Sequence, residues 1–471
     1  MSRAGRSEDG RRATPARRAA FETLRRTFEH DAWTDRAFRS AADRHGLEGA
    51  ERARSQRLAY GAVQRRGTTD HLAARLAGRP VAQLDPPLRA GLRLGLFELL
   101  FSDGAAAHAA VGEAVELAKG GMRAGGAGGR AAAAAGLVNA VLRQASRDPA
   151  SLLAGLDDST PEGAAVAHSY PGWLAARWWE ELGPDGARAL MAAMNEPAER
   201  ALRVNTLRAD PAALAATLRT AGERVEPVAA GSDPLLSLPE TLVAGGRWGE
   251  ALRARIAAGE MVPQSRASQA VAGLLDPQPG ERVLDLCAGP GIKSTAIAAR
   301  MGDVGEVRSI ELDPRRASQI AALAERAGAG CVRPVEADAA VADLGAGYDR
   351  VLVDPPCTDL GALAARPDAR WRKTADQADQ LAVLQREILV NGAASVRPGG
   401  RLVYSTCTIS RAENEAVVAG ALAARPELEA EDLGRGHPTL ASAHDHRFLQ
   451  TRPDRDRTDG FFMALIRRRE G

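Results

Sequence analysis

The chain has 471 residues, of which 26% are charged and 45% hydrophobic, with a net charge of +2; at about 150 residues per domain this predicts two or three domains and excludes a peptide or a small stapled scaffold. No run of roughly 18 apolar residues offers a membrane span. The Arg-rich start, MSRAGRSEDGRRATPARRAA, lacks the apolar stretch of a signal peptide, so a cytoplasmic location is expected.

Residues 1–16 read as a disordered basic tail. From 17 to 147 the apolar residues recur at helical spacing, as in Phe21, Leu24 and Phe28, in Leu92, Leu96, Leu99 and Leu100, and in Val138, Val141 and Leu142, which predicts an all-α module. Within it, GGMRAGGAGGRAAAAAG at 120–136 reads as a flexible loop, with the apolar face of the last helix starting at Leu137. Residues 1–150 carry 25 Lys and Arg against 16 Asp and Glu, a net +9, while the remainder carries 37 against 44, a net −7. A basic module joined to an acidic one suggests a polyanionic partner, most plausibly nucleic acid; a solvated basic face accounts for the charge equally well. Residues 148–260 read as a helical linker followed by a small α+β segment. Trp173, Trp178 and Trp179 form a packing seam there, ALRVNTL (201–207) and RVEPVAA are short strands, and LAATLRTAG is a helix between them.

From 261 to 471 strands alternate with Gly-rich turns and helices: RVLDLC (282–287), EVRSIEL (306–312), CVRPVEAD, YDRVLVDPP and GRLVYSTC are the strands. This predicts an α/β domain with a mostly parallel, doubly wound sheet, whose ligands bind outside the carboxyl ends of the strands. Asp285 to Lys293, Glu311, Asp338, Asp354 to Cys357 and Ser405 to Cys407 all fall at such ends. The turn through Ala288, Gly289, Pro290 and Gly291 brings backbone N–H groups to a helix N-terminus, and Glu311 can take ribose hydroxyls, which suits an adenosine-containing cofactor. The turn is neither GxGxxG nor GxxxxGK[ST], so a dinucleotide is less natural and triphosphate hydrolysis is disfavoured. The four cysteines, Cys287, Cys331, Cys357 and Cys407, include no CxxC pair, so neither a disulfide framework nor a metal site is expected. Cys287 and Cys331 read as packing residues. Cys357 and Cys407, at two strand ends beside the adenosine pocket, suit covalent chemistry. Only three residues are lysines against 59 arginines, which singles out Lys293 as a place where Arg would not serve.

DLCAGPGIKS, DPPCTDLG, YSTCTIS with AENE, and the terminal TDGFFMALIRR resemble the signature segments of the NOL/NOP/Sun family of RNA cytosine-C5 methyltransferases. The N-terminal segments AHAAVGEAVELAK and GLVNAVLRQ resemble a NusB-like RNA-binding domain. The resemblance implies a Rossmann-like class I methyltransferase domain after a NusB-like domain and a small α+β linker, acting on a cytosine of 16S ribosomal RNA with S-adenosyl-L-methionine. By the same resemblance Cys407 is the nucleophile and Cys357 assists release. Asp354 and Lys293 support the base, and Ala288, Gly289, Pro290, Gly291, Ile292, Lys293, Glu311, Asp338 and Asp354 line the cofactor pocket. The chain departs from the family's usual pattern at Ile292 and Asp359, where Gly is common, at Gln264-Ser265-Arg266, and at Asp454. Two other readings stay open: an RNA-binding assembly protein with a decayed catalytic domain, and a DNA cytosine methyltransferase.

Overall fold

In the computed structural model, which describes residues 13–102, 104, 106–228 and 232–470, Pro15 opens the first helix, where its missing N–H costs nothing. The tail expected over 1–16 lies, for residues 1–12, outside the described residues. The periodic stretch becomes the helices Pro15–Glu29, Thr34–Arg44, Gly49–Gln64, Arg66–Ala77, Pro86–Phe101, Ala107–Ala124 and Ala131–Ala145. Their apolar faces close on two clusters, one around Phe21, Leu24, Phe38 and Leu94, the other around Leu88, Leu92, Val138 and Leu142. Arg17, buried among them, donates to Glu98 and Glu113. The expected loop at 120–136 is shorter than predicted: helix continues to Ala124 and resumes at Ala131, leaving only 125–130 between. The five alanines from 131 to 135 are the best helix formers available, and their propensity outweighs the flanking glycines.

The chain divides into two units, and their boundary is not a single cut. The first runs to Asn195, through the helices Pro149–Ala154, Pro161–His168 and Gly172–Ala193, and also takes in Arg366–Arg372. Trp178 is fully buried in this unit, edge-on to Tyr170. The segment 366–372 is held by side chains. Asp368 accepts from the Thr34 N–H at 3.0 Å, and Trp371 donates its indole N–H to Val63 O at 2.8 Å. The fully buried Arg370 donates to Asn195 Oδ1 at 2.9 Å, Ser169 O at 3.2 Å and Met194 O at 3.4 Å, with its guanidinium 4.0 Å from the Tyr170 ring centre.

The second unit contains two sheets. The smaller one joins β1 (Ala201–Val204), β2 (Val225–Pro227), β3 (Thr241–Ala244) and β4 (Met261–Pro263) in the order β2-β3-β1-β4, all antiparallel. β1 is shorter than the 201–207 expected, because the Asn205 carbonyl accepts from the Arg208 and Ala209 N–H groups in a turn at 2.9 and 3.0 Å, while the Asn205 side-chain amide donates to Gly259 O and Ala327 O at 2.9 and 2.7 Å. The larger sheet comprises β5 (Arg282–Leu286), β6 (Glu306–Glu311), β7 (Val332–Glu336), β8 (Tyr348–Val353), β9 (Val396–Thr406), β10 (Leu428–Ala430), β11 (Leu449–Gln450) and β12 (Phe462–Arg468). Its order is β10-β12-β9-β8-β5-β6-β7, with β11 also on β12. The five strands from β5 to β9 are parallel; β12 enters antiparallel beside β9, so the sheet is mixed at one edge.

Alternate residues of these strands feed opposite cores. Val283, Leu352 and Val403 join one cluster with Ile297 and Ile320; Leu284, Val351, Val353 and Tyr404 join the other with Leu389 and Val418. Both faces are therefore covered by helices, as a parallel sheet requires. The register decides which strand ends meet: Leu286 stands opposite Val353, and Val353 opposite Tyr404. The next residues of the three strands, Cys287, Asp354 and Ser405, thus emerge side by side.

Candidate active site

At the end of β5 the chain turns through Cys287, at φ +60°, and Gly291, at φ +101°, into the helix Ile292–Arg300. The left-handed position falls on Gly291, and Ile292 is the first helical residue, so the substitution of Ile for the family's Gly imposes no backbone strain. Gly289 has a different need for its missing side chain: a Cβ there would lie 2.3 Å from Glu311 Oε2. Glu311, buried at the end of β6, accepts from the Gly289 N–H at 2.9 Å and the Asp313 N–H at 3.0 Å. Asp338 lies just beyond the neighbouring β7, exposed, and accepts from the Ala340 N–H at 2.9 Å.

Asp285 points from β5 to the helix face, fully buried, and accepts from Ser294 Oγ at 2.6 Å. Burial pushes its carboxyl up to about 7 against the lowering effect of that hydrogen bond, with the charges of Asp354 and Glu311 adding to the rise. Its other oxygen, Oδ1, is a buried acceptor with no hydrogen-bond partner. A turn too tight for a side chain, a helix N-terminus, a buried carboxylate at the next strand end and this orphaned acceptor together fit an adenosyl group carrying an amino acid, whose ammonium can donate to a carboxylate.

One helical position beyond Ile292, Lys293 donates to Asp354 Oδ2 at 2.7 Å and stands 5.2 Å from the Phe461 ring centre. Burial alone would lower its pKa, but Asp354 outweighs burial and raises it, so the ammonium is retained. Ser405 donates to Asp354 Oδ1 at 3.0 Å. Both carboxylate oxygens are thus oriented, one by a charge and one by a hydroxyl.

Cys357 and Cys407 are half-buried, with their sulfurs 3.3 Å apart. Cys407 donates to Asp359 Oδ1 at 2.8 Å, and Cys357 lies 3.9 Å from the same oxygen. The hydrogen bond between the two sulfurs, burial, and the nearby Asp359 all push the Cys407 thiol well above its ordinary range. At rest the group is a thiol and not a thiolate.

The two cysteine loops are fastened by residues to which sequence reasoning assigned no role. Glu413, fully buried in the loop after β9, accepts from the Thr358 N–H at 2.8 Å and from the Thr358 and Thr408 hydroxyls, while the two hydroxyls are 2.8 Å apart. Gln385 donates to Glu413 Oε1 at 3.1 Å and to Pro356 O at 2.9 Å. Burial raises the Glu413 carboxyl against these lowering hydrogen bonds. The signal in the sequence was the AENE segment; its Glu413 acts through the threonines that follow each cysteine. Gly361 completes the fastening, because its N–H donates to Cys407 O at 3.0 Å and any Cβ would meet Gly460 O at 1.9 Å. Of the remaining predicted residues, Cys331 is buried in the core on one face of the sheet, and Cys287 lies in the turn after β5, its thiol held well above the ordinary range by burial. Arg266 is buried in an ion pair with Glu199, and Asp454 pairs with Arg452, both at 2.7 Å.

A sequence profile of the family described as 16S rRNA methyltransferase RsmB/F matches residues 272–467; NusB-family and RsmF/B ferredoxin-like profiles match 14–147 and 170–236. A probable ribosomal RNA small subunit methyltransferase B of Synechocystis is 32% identical, over 96% of this chain and 99% of the relative. This chain belongs to the RsmB/F methyltransferase family. A second relative, the ribosomal RNA small subunit methyltransferase B of Thermus thermophilus, is 34% identical over 89% of each chain. The crystal structure of PH0851 superposes with a TM-score of 0.80, at 27% identity, covering 96% of this chain and 98% of the other.

As an RsmB/F member, the chain is an S-adenosyl-L-methionine-dependent methyltransferase, with a NusB domain, a ferredoxin-like linker and a catalytic α/β domain. Because Ile292 keeps the helical N–H that its position offers, Ile292→Gly is expected to change S-adenosylmethionine affinity less than tenfold, about 1.4 kcal/mol. Calorimetric titration checks this, and a gain of several hundredfold on placing Gly at 292 would show that the natural residue impairs the site.

Proposed function

We propose that this chain methylates C5 of a cytosine in 16S ribosomal RNA through a covalent adduct between Cys407 and C6. The observation that carries the reading is the pair of half-buried thiols 3.3 Å apart, next to a carboxylate held by a lysine 2.7 Å away. Cytosine C5 is too poor a nucleophile to attack a methyl sulfonium directly, and addition of a thiolate at C6 makes C5 enamine-like. In this reading Cys407 adds to C6, while the Lys293–Asp354 pair protonates N3 and so holds the displaced ring electrons. The cofactor supplies the methyl group to C5 and becomes S-adenosylhomocysteine. The C5 proton then passes to a base, the Cys407–C6 bond breaks with Cys357 assisting, and N3 returns its proton. The residues that would line the pocket are Ala288, Gly289, Pro290, Gly291, Ile292, Lys293, Glu311, Asp338 and Asp354, and the buried, unpartnered Asp285 Oδ1 would accept from the cofactor's ammonium.

The substrate assignment is supported by the names of the relatives and by the NusB-like residues 14–147, which lie in the basic third of the chain. RNA affinity from that module is electrostatic and falls with salt. The base has to leave its stack to reach two thiols held in strand-end loops. The test is to incubate the full chain with unmodified 16S RNA and S-adenosylmethionine, digest the RNA to nucleosides and identify the product by mass spectrometry. 5-Methylcytidine is expected. A methylated nucleoside other than 5-methylcytidine would overturn the C5 assignment, and transfer to DNA but not to 16S RNA would overturn the substrate.

A further inference from the structure

We propose that Asp359 is the general base that takes the Cys407 thiol proton as sulfur adds to C6. The assignment deepens the covalent reading above and rests on it. Resting state and reaction are mismatched at this sulfur. The nucleophile is required as a thiolate, yet Cys407 rests as a thiol, and the group that accepts its hydrogen bond is Asp359 Oδ1 at 2.8 Å. That is the distance at which a general base works on its proton.

The other groups around the thiols are placed for other tasks. Asp354 has its two oxygens on Lys293 and Ser405; Glu413 has its oxygens on Thr358, Thr408 and Gln385; Asp285 accepts from Ser294. Lys293 is an ammonium and cannot accept. The Cys357 sulfur, 3.3 Å from the Cys407 sulfur, is a far weaker acceptor than the Asp359 carboxylate oxygen. The backbone explains how the carboxylate comes to be there. Residue 359 has φ +59°, a left-handed position at which Gly is at ease and Asp is among the few other residues that are tolerated. The tight turn that needs that conformation also directs the side chain back at Cys407. A chain with Gly at this position has the turn without the base.

The proton accounting closes. In addition, the S–H proton passes to Asp359 Oδ1, the sulfur pair forms the S–C6 bond, and the ring electrons move to N3, which takes its proton from the Lys293–Asp354 pair. After methyl transfer the C5 proton is lost to water with Cys357 assisting, its electron pair forms the C5–C6 double bond, the S–C6 pair returns to sulfur, which recovers its proton from Asp359, and N3 returns its proton to the Lys293–Asp354 pair. Asp359 takes one proton on addition and returns it on elimination, so it ends each turnover as it began. A carboxylate oxygen that accepts the S–H hydrogen bond favours the thiol over the free thiolate, so proton transfer concerted with addition, and not prior ionisation, is the route this geometry favours.

The experiment uses the full-length chain carrying Cys357→Ala, in which the adduct accumulates. Adduct formation with labelled 16S RNA and S-adenosylmethionine is followed on denaturing gels from pH 6 to pH 9, with Asp359 intact and with Asp359→Asn or Asp359→Gly. With Asp359, the rate is expected to vary little over this range. Asp359→Asn is expected to be slower by on the order of 100-fold at pH 7, the lower end of what a general base contributes, and to rise about tenfold per pH unit as hydroxide replaces the lost base. Added formate is expected to restore part of the rate to Asp359→Gly, whose missing side chain leaves room for it, and not to Asp359→Asn. Cofactor affinity within twofold of the parent checks that the variants are folded. Equal rates and equal pH profiles for the three proteins would overturn the assignment. No adduct at any pH with Asp359 in place would overturn the covalent reading, and this proposal with it.

Discussion

Replacing Cys407 with alanine is expected to abolish both methylation and covalent RNA attachment, a loss on the order of 10⁴-fold or more in turnover, because no other step can activate C5 if the adduct never forms. Replacing Cys357 with alanine is expected to do something different. The adduct still forms and accepts the methyl group, then stalls, leaving a protein–RNA complex that survives denaturation. The two sulfurs are 3.3 Å apart and share the Asp359 oxygen, so proximity alone does not say which one attacks. The asymmetry that favours Cys407 is its 2.8 Å hydrogen bond to that oxygen against 3.9 Å for Cys357. Labelled 16S RNA, S-adenosylmethionine and a denaturing gel read both variants directly. An adduct with Cys407→Ala and none with Cys357→Ala would reverse the order, and full turnover by Cys407→Ala would remove covalent catalysis through it.

The second large effect is on stability. Arg370→Met is expected to cost about 3 kcal/mol or more, because three buried oxygens lose their donor. The guanidinium donates to Asn195 Oδ1, Ser169 O and Met194 O and lies over Tyr170 in a fully buried position. Methionine fills much of the volume but leaves those acceptors buried without a donor, at about 1–3 kcal/mol each when nothing replaces it. Hydrogen exchange separates this from a change elsewhere: the amides of Pro161–His168 and Gly172–Ala193 should lose protection, while those of β5 and β8 should not. An exchange pattern equal to the parent's in both regions would show that Arg370 does not hold the segment. The consequence for function is local. Residues 366–372 lie in the connection from β8 to the helix Ala375–Ser395, the same connection that carries Asp354, Cys357 and Asp359. Releasing them lengthens the free part of that loop.

Much of this protein is written in its local sequence. The 3.6-residue periodicity after Pro15 and the apolar strands separated by Gly-rich turns specify a helical module followed by an α/β domain, because such patterns bury one face of each element whatever its partners are. The strand ends carry Asp285, Lys293, Glu311, Asp354, Cys357 and Cys407, and a parallel sheet has to bring its strand ends to one edge, so their assembly was legible before any distance was known. What required the tertiary structure is what depends on long-range placement. Whether position 292 needs a glycine was decided by which residue takes the left-handed conformation, and that is Gly291. Glu413 became a fastening residue only when Thr358, 55 residues away in sequence, was brought within 2.8 Å. The membership of 366–372 in the first unit, and the meeting of the Asp359 carboxylate with a thiol 48 positions away, have no periodic signature. A buried polar contact is specified by one pair of atoms, whereas an apolar face is specified by repetition, and only repetition can be read along a chain.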